Sequence, residues 1–288
     1  MRPSLINRMA KTLAFSEKSF DSSSYADFRP TYGIALFDQL FMYHQSSSKV
    51  AVDLGCGTGQ ITSILAERFE KVIGFDTSAK MLEAAIKHDR ISYQVGSAES
   101  LPLEDGSVDL VTVGQAAHWF DKEKWFKEMH RVIKPGGTLS FWSYNEIVFT
   151  DSPAATKVWN QVSHADDKLG PHWPQPGRSI LEEAMDGFDL PESLFSRVER
   201  HYTAQRGSQE PSPVAKQTTL LGAAQYMRTA SAFHNWRAAN GNPVSRAAGG
   251  AGDAVDEAID EIKRQTGWTD DSKINVHWPT VAVYGERR

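Results

Sequence analysis

The sequence predicts an α/β fold in which a mostly parallel sheet carries helices on both faces, and three observations support it. Short apolar runs alternate with amphipathic segments from 49 to 144. A glycine-rich turn follows the first of these runs and precedes a segment with helical spacing. The alternation stops after Trp142, where a longer polar and aromatic region begins. Strands that alternate with helices at this spacing imply right-handed crossovers and therefore parallel neighbours.

The elements follow in order along the chain. Between the first two strands, Ile61, Ile64 and Leu65 recur at helical spacing, and Thr77 or Ser78 can cap the next helix. Pro279 lies within the last predicted strand and favours a sheet edge or a bulge. The predicted strands are 49–54, 72–75, 91–95, 108–113, 138–142, 194–203 and 276–284, and the predicted helices are 60–68, 125–133, 215–239 and 253–265.

These elements divide the chain into three parts. We expect an N-terminal helical segment that closes over a ligand, a core sheet with an antiparallel C-terminal strand at its edge, and a helical cap that recognises a substrate. The helical segment is 1–48, the core is 49–144 with 194–204 and 275–288, and the cap is 145–193 with 205–274.

Composition excludes several classes of partner. The net charge of -5 and the pI of about 6.0, without a Lys/Arg cluster, argue against nucleic acid. No apolar run reaches the roughly 20 residues that span a bilayer. The single cysteine, Cys56, cannot form an intramolecular disulfide, which favours a reducing, cytoplasmic setting. We expect a monomer or homodimer that has neither nucleic acid nor a membrane as its partner.

The sharpest motif is the turn Val52-Asp-Leu-Gly-Cys-Gly-Thr-Gly59. Its spacing is G-x-G-x-G, whereas a pyrophosphate-binding turn prefers G-x-G-x-x-G. Asp76 ends the second strand, 17 residues after Gly59. A carboxylate there can accept both hydroxyl protons of a ribose. The pair predicts a ligand that has a ribose but no pyrophosphate.

Five segments together resemble the motifs of class I S-adenosylmethionine (SAM)-dependent methyltransferases. After the glycine turn come Phe75-Asp76, Gly96-Ser-Ala-Glu-Ser-Leu-Pro102, Val108-Asp-Leu-Val and Glu128-Met-His-Arg-Val-Ile-Lys-Pro-Gly-Gly-Thr-Leu139, in the order that the family shows. The resemblance implies a Rossmann-like sheet, SAM as cofactor and S-adenosylhomocysteine as product. This chain departs at Ser97, where the family often has Asp.

The resemblance also implies a set of cofactor-binding residues. Tyr25-Ala-Asp-Phe-Arg-Pro-Thr-Tyr32 is similar to the family's "Y-x-x-x-R-P-x-Y" segment, in which the aromatic and the Arg close over the methionyl end of SAM. Arg29 would pair with the SAM carboxylate, although a surface Arg that caps a helix is the alternative. Asp53 would reach the ligand or only stabilise the turn. The full set is Tyr25, Arg29, Asp53, Gly55, Cys56, Gly57, Gly59, Asp76, Thr77, Met81, Ser97, Ala98, Glu99 and Gln115.

Two further segments resemble trans-aconitate methyltransferase-like proteins. They are Gln115-Ala-Ala-His-Trp-Phe-Asp121 and Tyr226-Met-Arg-Thr-Ala-Ser-Ala-Phe-His-Asn-Trp236, and the second departs at Ala230, where the family often has Trp. The resemblance implies a small-molecule substrate. The implied substrate-binding residues are His118, Trp119, Tyr226, Arg228 and His234.

His118 is the candidate catalytic residue, because it follows the fourth strand, where ligand sites of α/β sheets collect. It would serve a hydroxyl acceptor as a general base, or a carboxylate acceptor as a hydrogen-bond donor. Arg228 and His234 are candidates for holding an anionic substrate, with a solvated helix face as the alternative. No cluster of residues has metal-ligand spacing, so we expect activity to survive EDTA.

The leading functional hypothesis is O-methylation of a small carboxylic acid. The second is methylation of a hydroxyl, nitrogen or carbon nucleophile of a metabolite. A third is a SAM-binding protein that does not methylate. A nicotinamide-dependent oxidoreductase is the fourth, and the glycine spacing argues against it.

Overall fold

The computed structural model, which describes residues 28–206 and 210–288, contains strands and helices in close alternation up to residue 144. The strands are β1 (Val50–Leu54), β2 (Lys71–Asp76), β3 (Ile91–Val95), β4 (Val108–Gly114), β5 (Ile133–Tyr144), β6 (Val148–Phe149), β7 (Phe195–Thr203), β8 (Ala215–Thr219), β9 (Lys273–His277) and β10 (Thr280–Arg287). The helices are α1 (Ile34–Tyr43), α2 (Gln60–Ala66), α3 (Ala79–Glu83), α4 (Lys122–Val132), α5 (Pro153–His164), α6 (Gly177–Glu182), α7 (Leu220–Arg228), α8 (Ser231–Ala239) and α9 (Ala254–Thr266).

Seven strands form the main sheet, in the order β3-β2-β1-β4-β5-β10-β7. The pairs among β1 to β5 are parallel, whereas β10 runs antiparallel to both β5 and β7. The predicted mostly parallel sheet with flanking helices is confirmed. The predicted antiparallel C-terminal strand is confirmed as β10, which lies next to β7, the antiparallel-paired strand at the edge. Pro279 precedes β10 instead of interrupting it, so the strand can pair on both sides.

Helices cover both faces of this sheet, as the burial of β1 shows. Val52 and Leu54 pack in one cluster with Trp125 of α4, and Ala51 packs in another with Phe37 of α1. Successive side chains of a strand point to opposite faces, so this division places α1 and α4 on opposite sides. The strands β1 and β4 are almost continuous apolar runs in the sequence, since helices cover both faces of the sheet.

The region that the sequence assigns to the cap contains a second sheet, in the order β6-β9-β8, as well as helices. The predicted helix over 215–239 was wrong at its start, because residues 215–219 form β8. The remainder is two helices, α7 and α8, separated at Thr229 and Ala230. The predicted last strand is also two strands, β9 and β10, which break at Trp278 and Pro279 and belong to different sheets.

A hydrophobic cluster joins the small sheet to the cap helices. The cluster includes two fully buried tryptophans, Trp159 of α5 and Trp278, together with Phe149 of β6 and Val255 of α9. The cap is therefore packed through its own core against the carboxyl end of β5, where Tyr144 belongs to the same cluster. Within the described ranges, no helix is both long and apolar enough to cross a membrane.

Candidate active site

The glycine turn after β1 has a backbone that only glycine adopts readily. Gly55, Gly57 and Gly59 have φ values of +63°, +55° and +84°. A Cβ at Gly55 would lie 2.5 Å from the Cβ of Ala116, which follows β4. The turn therefore approaches the β4 end too closely for a side chain, and its backbone forms the floor of a pocket.

Asp76 anchors this turn from the end of β2. One carboxylate oxygen accepts the backbone N–H of Gly57 at 2.9 Å, and the other accepts that of Ser78 at 2.8 Å. Burial raises the pKa of Asp76, and the backbone hydrogen bonds from Ser78, Gly57 and Thr77 oppose this rise. Each oxygen keeps lone-pair capacity on the pocket side. The arrangement suits a vicinal diol, whose two hydroxyls can donate to the two oxygens.

The first pocket, here called the cofactor pocket, lies over the carboxyl ends of β1, β2 and β4. Phe75, Met81 and Phe120 give it apolar walls, and Asp76 gives it an acidic one. Its wall consists of Leu54, Gly55, Gly57, Phe75, Asp76, Thr77, Ser78, Met81, Gly96, Ser97, Ala98, Glu99, Gln115, Ala116, Trp119 and Phe120.

The loop that follows β3 forms one side of this pocket and is fixed by polar contacts. The Ser97 hydroxyl donates to Glu99, and the other oxygen of Glu99 accepts the backbone N–H of Asp121 at 2.9 Å. Further along, Glu128 accepts the N–H of Leu101 at 2.6 Å. Arg131 donates to the carbonyl of Leu101 at 3.1 Å, so the loop is clamped to α4.

A second cavity, here called the chamber, lies between the core and the cap. Aromatic rings make up much of its wall, and Gln115 and Trp119 belong to both cavities. The described wall consists of Arg29, Gln115, His118, Trp119, Tyr144, Asn145, Glu146, Trp159, Ser163, Trp173, Pro174, Gly177, Arg178, Leu181, Tyr226, Met227, Ala230 and Ser231. A ligand in the chamber can therefore meet a ligand in the cofactor pocket beside Gln115 and Trp119.

Gln115 holds this junction in place. Its side-chain amide donates to the carbonyl of Tyr144 at 3.0 Å and accepts the N–H of Tyr144 at 2.8 Å. Its φ of +55° is rare for a residue with a side chain. Such backbone strain persists only where surrounding contacts enforce it, and it is concentrated at functional sites.

His118 faces the chamber in an environment that keeps it neutral. It is 7% exposed, and its Nδ1 has no hydrogen-bond partner among the described residues. Burial, together with the charge of Arg29, lowers its pKa to about 3. The ring therefore carries no charge at neutral pH, and one buried polar atom is left for a ligand.

Comparison with known proteins agrees with this geometry. A family profile described as a methyltransferase domain matches residues 52–141. An uncharacterized methyltransferase of Mycobacterium tuberculosis is 33% identical over 191 residues, which is 64% of this chain and 68% of that protein. The chain belongs to the SAM-dependent methyltransferases.

Two other relatives extend the comparison. A protein of Saccharomyces cerevisiae named "Probable S-adenosylmethionine-dependent methyltransferase" is 32% identical over 60% of this chain and 62% of its own length. A solved structure from Anaeromyxobacter dehalogenans, described as a "Putative Type II Methyltransferase", has a TM-score of 0.70 and 26% identity and covers 90% of this chain and 98% of its own. The chain spans about three fifths of the length of the first curated relatives it matches, 61% and 62%.

The residues of the cofactor pocket fit SAM, the cofactor of this family. Asp76 offers two oxygens to the ribose hydroxyls, and the apolar sides of Phe75 and Met81 suit the adenine. The backbone of Gly55 and Gly57 leaves room for the methionyl part. Of the predicted cofactor residues, the structure places these in the wall: Gly55, Gly57, Asp76, Thr77, Met81, Ser97, Ala98, Glu99 and Gln115.

Three other predicted cofactor residues lie in or under the glycine turn, outside the described wall of the cofactor pocket. Asp53 is fully buried and accepts hydrogen bonds from Thr62 at 2.6 Å and Thr112 at 3.1 Å. Burial raises its pKa to about 7. Cys56 and Gly59 are held by backbone hydrogen bonds that shape the turn. None of the three lies in the described wall of the pocket, and their contact with the cofactor stays a prediction.

Arg29 is a residue of the chamber wall, and its pairing with the SAM carboxylate stays a prediction. It lines the chamber and not the cofactor pocket, and it donates to the carbonyl of Thr229 at 3.1 Å and to the Tyr144 hydroxyl at 3.4 Å. Its guanidinium also lies 5.4 Å from the ring centroid of Tyr226. Tyr25, the other predicted residue of this segment, lies outside the described residues.

The predicted substrate residues divide into two groups. His118, Trp119 and Tyr226 line the chamber. Arg228 does not, because it donates to both oxygens of Asp253, at 2.8 Å and 2.9 Å, and to Asp256 at 2.9 Å. Its predicted role in holding an anionic substrate was wrong, since the guanidinium joins α7 to the start of α9. His234 is half-buried and lies outside the described wall.

The sequence reasoning missed the charged wall residues Glu146 and Arg178. They lie in the insertion after β5, where no motif marks them. The available signal was the presence of Trp159 and Trp173 in this insertion, since aromatic side chains are typical of ligand pockets. Within residues 28–206 and 210–288, no group of three or more His, Cys, Asp or Glu side chains is arranged to hold a metal.

Proposed function

We propose that the protein methylates a carboxylate oxygen of a small molecule, with SAM as the methyl donor. The observation that carries the proposal is the lack of a proton acceptor that works near neutral pH in the described chamber wall. His118 has a pKa of about 3. A hydroxyl or an ammonium group must lose a proton before it attacks, whereas a carboxylate is ionised already.

Glu146 is the other group in the described wall that could accept a proton. Burial raises its pKa, but the charge of Arg178 and hydrogen bonds from Ser163 and Arg178 outweigh burial, and the pKa lies below its ordinary value. A carboxylate with a lowered pKa is a weak base. An acceptor that enters the chamber as an anion fits this wall best.

Arg29 supplies the positive charge that such an acceptor needs. Arg29 and His118 both line the chamber, and the charge of Arg29 contributes to the lowered pKa of His118. A guanidinium can bind a carboxylate through charge-assisted hydrogen bonds. The buried Nδ1 of His118, when it carries the ring proton, can donate to the same carboxylate. Both residues then orient the acceptor toward Trp119.

The chemistry requires alignment more than proton transfer. SAM, when bound, supplies an electrophilic methyl group on a sulfonium that is an excellent leaving group. The oxygen–carbon bond forms as the carbon–sulfur bond breaks, and no proton has to move. Gln115 and Trp119 stand where the two cavities meet, so they fix the approach line of the acceptor. The face of Trp119 is suited to stabilise a neighbouring cation.

The cap has a specific part in this proposal. Trp159, Trp173 and Tyr226 belong to it and close the chamber opposite the core. An enclosed, aromatic wall excludes water and selects for small substrates. The resemblance of residues 115–121 to trans-aconitate methyltransferase-like proteins supports a small molecule as the acceptor.

The test is a transfer assay with methyl-labelled SAM. The acceptors are a panel of small carboxylic acids and, matched in carbon skeleton, the corresponding alcohols and amines. We expect label in the acids alone. Transfer to alcohols or amines, with none to acids, would favour the hydroxyl or nitrogen acceptor and contradict the proposal.

A further inference from the structure

The chamber contains a carboxylate that the proposed methyl transfer does not use. Oε1 of Glu146 accepts hydrogen bonds from the Ser163 hydroxyl at 2.7 Å and from Nη2 of Arg178 at 2.6 Å. Its Oε2 accepts one from Nε1 of Trp159 at 3.1 Å. All three partners are donors, which is the pattern of an ionised carboxylate. Oε2 therefore keeps capacity for one more donor.

Arg178 does not make this part of the chamber positive. Its Nε donates to Glu182 at 2.7 Å, so one guanidinium faces two carboxylates. His164 lies 3.2 Å from Nη2 of Arg178 and 3.3 Å from Glu182, and a neutral ring with its proton on Nδ1 satisfies both contacts. The cluster carries a formal charge of minus one. It is also firmly held, since the Arg178 side chain is 6% exposed and lies 4.2 Å from the ring centroid of Trp173.

Arg29 and Glu146 are separated by two aromatic rings. Arg29 lies over Tyr226, whose ring stacks on that of Trp159 with 6.2 Å between centroids. Trp159 in turn donates to Glu146. The chamber thus has a cation, Arg29, on one side of the aromatic pair and an anion, Glu146, on the other.

We propose that Glu146 is a specificity residue that binds a hydrogen-bond donor on the substrate, at the end remote from the methylated carboxylate. The donor is a hydroxyl, an amide N–H or an ammonium group. The inference rests on the proposed function, because it takes the other end of the substrate to be the acceptor carboxylate. A second carboxylate near Glu146 would face a like charge, so the chamber selects against di- and tricarboxylic acids.

The first experiment measures binding instead of turnover, with the wild-type protein saturated with S-adenosylhomocysteine. Calorimetry compares phenylacetate with its 3- and 4-hydroxy derivatives and with its 3- and 4-carboxy derivatives. We expect one hydroxy derivative to bind at least about tenfold more tightly than phenylacetate, as a hydrogen bond to a charged group implies. Both carboxy derivatives are expected to bind more weakly than phenylacetate.

Glu146→Gln removes the charge and keeps the shape. We expect this variant to reduce the advantage of the hydroxy derivative to less than about threefold and to bind the carboxy derivatives more tightly than wild type does. Glu182→Gln is the matched control, because Glu182 also contacts Arg178 but lies outside the described chamber wall. It should keep the wild-type preference. The melting temperature and the affinity for S-adenosylhomocysteine of both variants monitor folding.

Each outcome has a distinct meaning. Equal binding of phenylacetate and its hydroxy derivatives to the wild type would overturn the inference and leave the carboxylate acceptor standing. An equal loss of preference in Glu146→Gln and Glu182→Gln would also overturn it, since the effect would then come from Arg178. Failure of all the acids to bind would contradict the proposed function itself. If Glu146→Gln does not fold, the binding of phenylacetate and its derivatives to the wild type still tests the inference.

Discussion

Two acidic residues at the ends of neighbouring strands have different tasks, although both are near the glycine turn. Asp76 faces the cofactor pocket and shares its oxygens between backbone N–H groups and the pocket. Asp53 lies fully buried under the turn and accepts hydrogen bonds from two threonines. Sequence spacing identified both carboxylates, but it could not show which of them reaches the pocket. That depends on how the turn folds over Asp53.

Replacement of Asp76 by Ala should weaken SAM binding. The variant loses the two acceptors that face the ribose, and hydrogen bonds to a charged group contribute about 1.5–3 kcal/mol. We expect the Kd for SAM to rise by about 10- to 150-fold in calorimetry. Asp89→Ala, at an exposed site, is the control and should bind SAM as wild type does. An unchanged Kd for Asp76→Ala would contradict the assigned cofactor pocket.

His118 should make the protein less stable in acid. Its pKa in the folded chain, about 3, lies below the ordinary value of 6.5 because burial disfavours the charged ring. Between these values the unfolded chain binds a proton that the folded chain does not. The contribution of His118 to the free energy of unfolding therefore decreases as pH falls from 6.5 toward 3, by about 1.4 kcal/mol per pH unit.

Urea unfolding at several pH values between about 4 and 7 measures this contribution. The stability of His118→Asn should fall less steeply with decreasing pH than that of the wild type. His88→Asn is the control, because His88 is exposed, and its curve should run parallel to that of the wild type. If the wild-type and His118→Asn curves are parallel, the ring is not held neutral by the fold.

At the level of elements, α4 acts as a clamp on the loop that carries Ser97 and Glu99. Arg131 donates to the carbonyls of Leu101 and Leu103, at 3.1 Å and 2.7 Å. It also pairs with Glu128, which is itself bonded to the loop. Glu128 and Arg131, which belong to the segment that resembles the family, thus have a structural role. They hold one wall of the cofactor pocket against a helix whose other face is buried in the core.

Arg131→Ala should release this loop. The variant leaves the nearly buried Glu128 without its guanidinium partner and removes the hydrogen bonds that the guanidinium donates to the carbonyls of Leu101 and Leu103. We expect a loss of about 1–3 kcal/mol in the free energy of unfolding and a weaker affinity for SAM. Lys127→Ala, on the exposed face of the same helix, should change neither quantity. Wild-type stability in Arg131→Ala would show that the clamp is not needed.

Two errors in the sequence reasoning arise from contacts between distant elements. Residues 215–219 are polar and half-exposed, so their pattern does not distinguish a strand from the helix that follows. They form β8 because β9, more than 50 residues later, offers a pairing edge. Arg228 similarly finds Asp253 and Asp256 only after the chain returns in α9. Local patterns carry no information on such partners.

At the scale of the whole molecule, the sequence is most informative for residues 50–144. Strands that are buried on both faces appear there as apolar runs. Backbone geometry explains the glycines of the turn, and the chemistry of a ribose explains a carboxylate at Asp76. The chamber is different, because it forms only when the cap packs on the carboxyl end of β5. Glu146 and Arg178 therefore escaped prediction, although the aromatic content of the insertion indicated a pocket.

The two cavities meet at Gln115 and Trp119, and the proposal that a carboxylate is methylated there depends on the whole arrangement. The most direct test identifies the acceptor atom. The protein is incubated with methyl-labelled SAM and a small-molecule extract of cells that express it, and the labelled product is treated with alkali. A methyl ester should hydrolyse and release the label as methanol. Label that stays in the product, on an ether oxygen, nitrogen or carbon, would contradict the account.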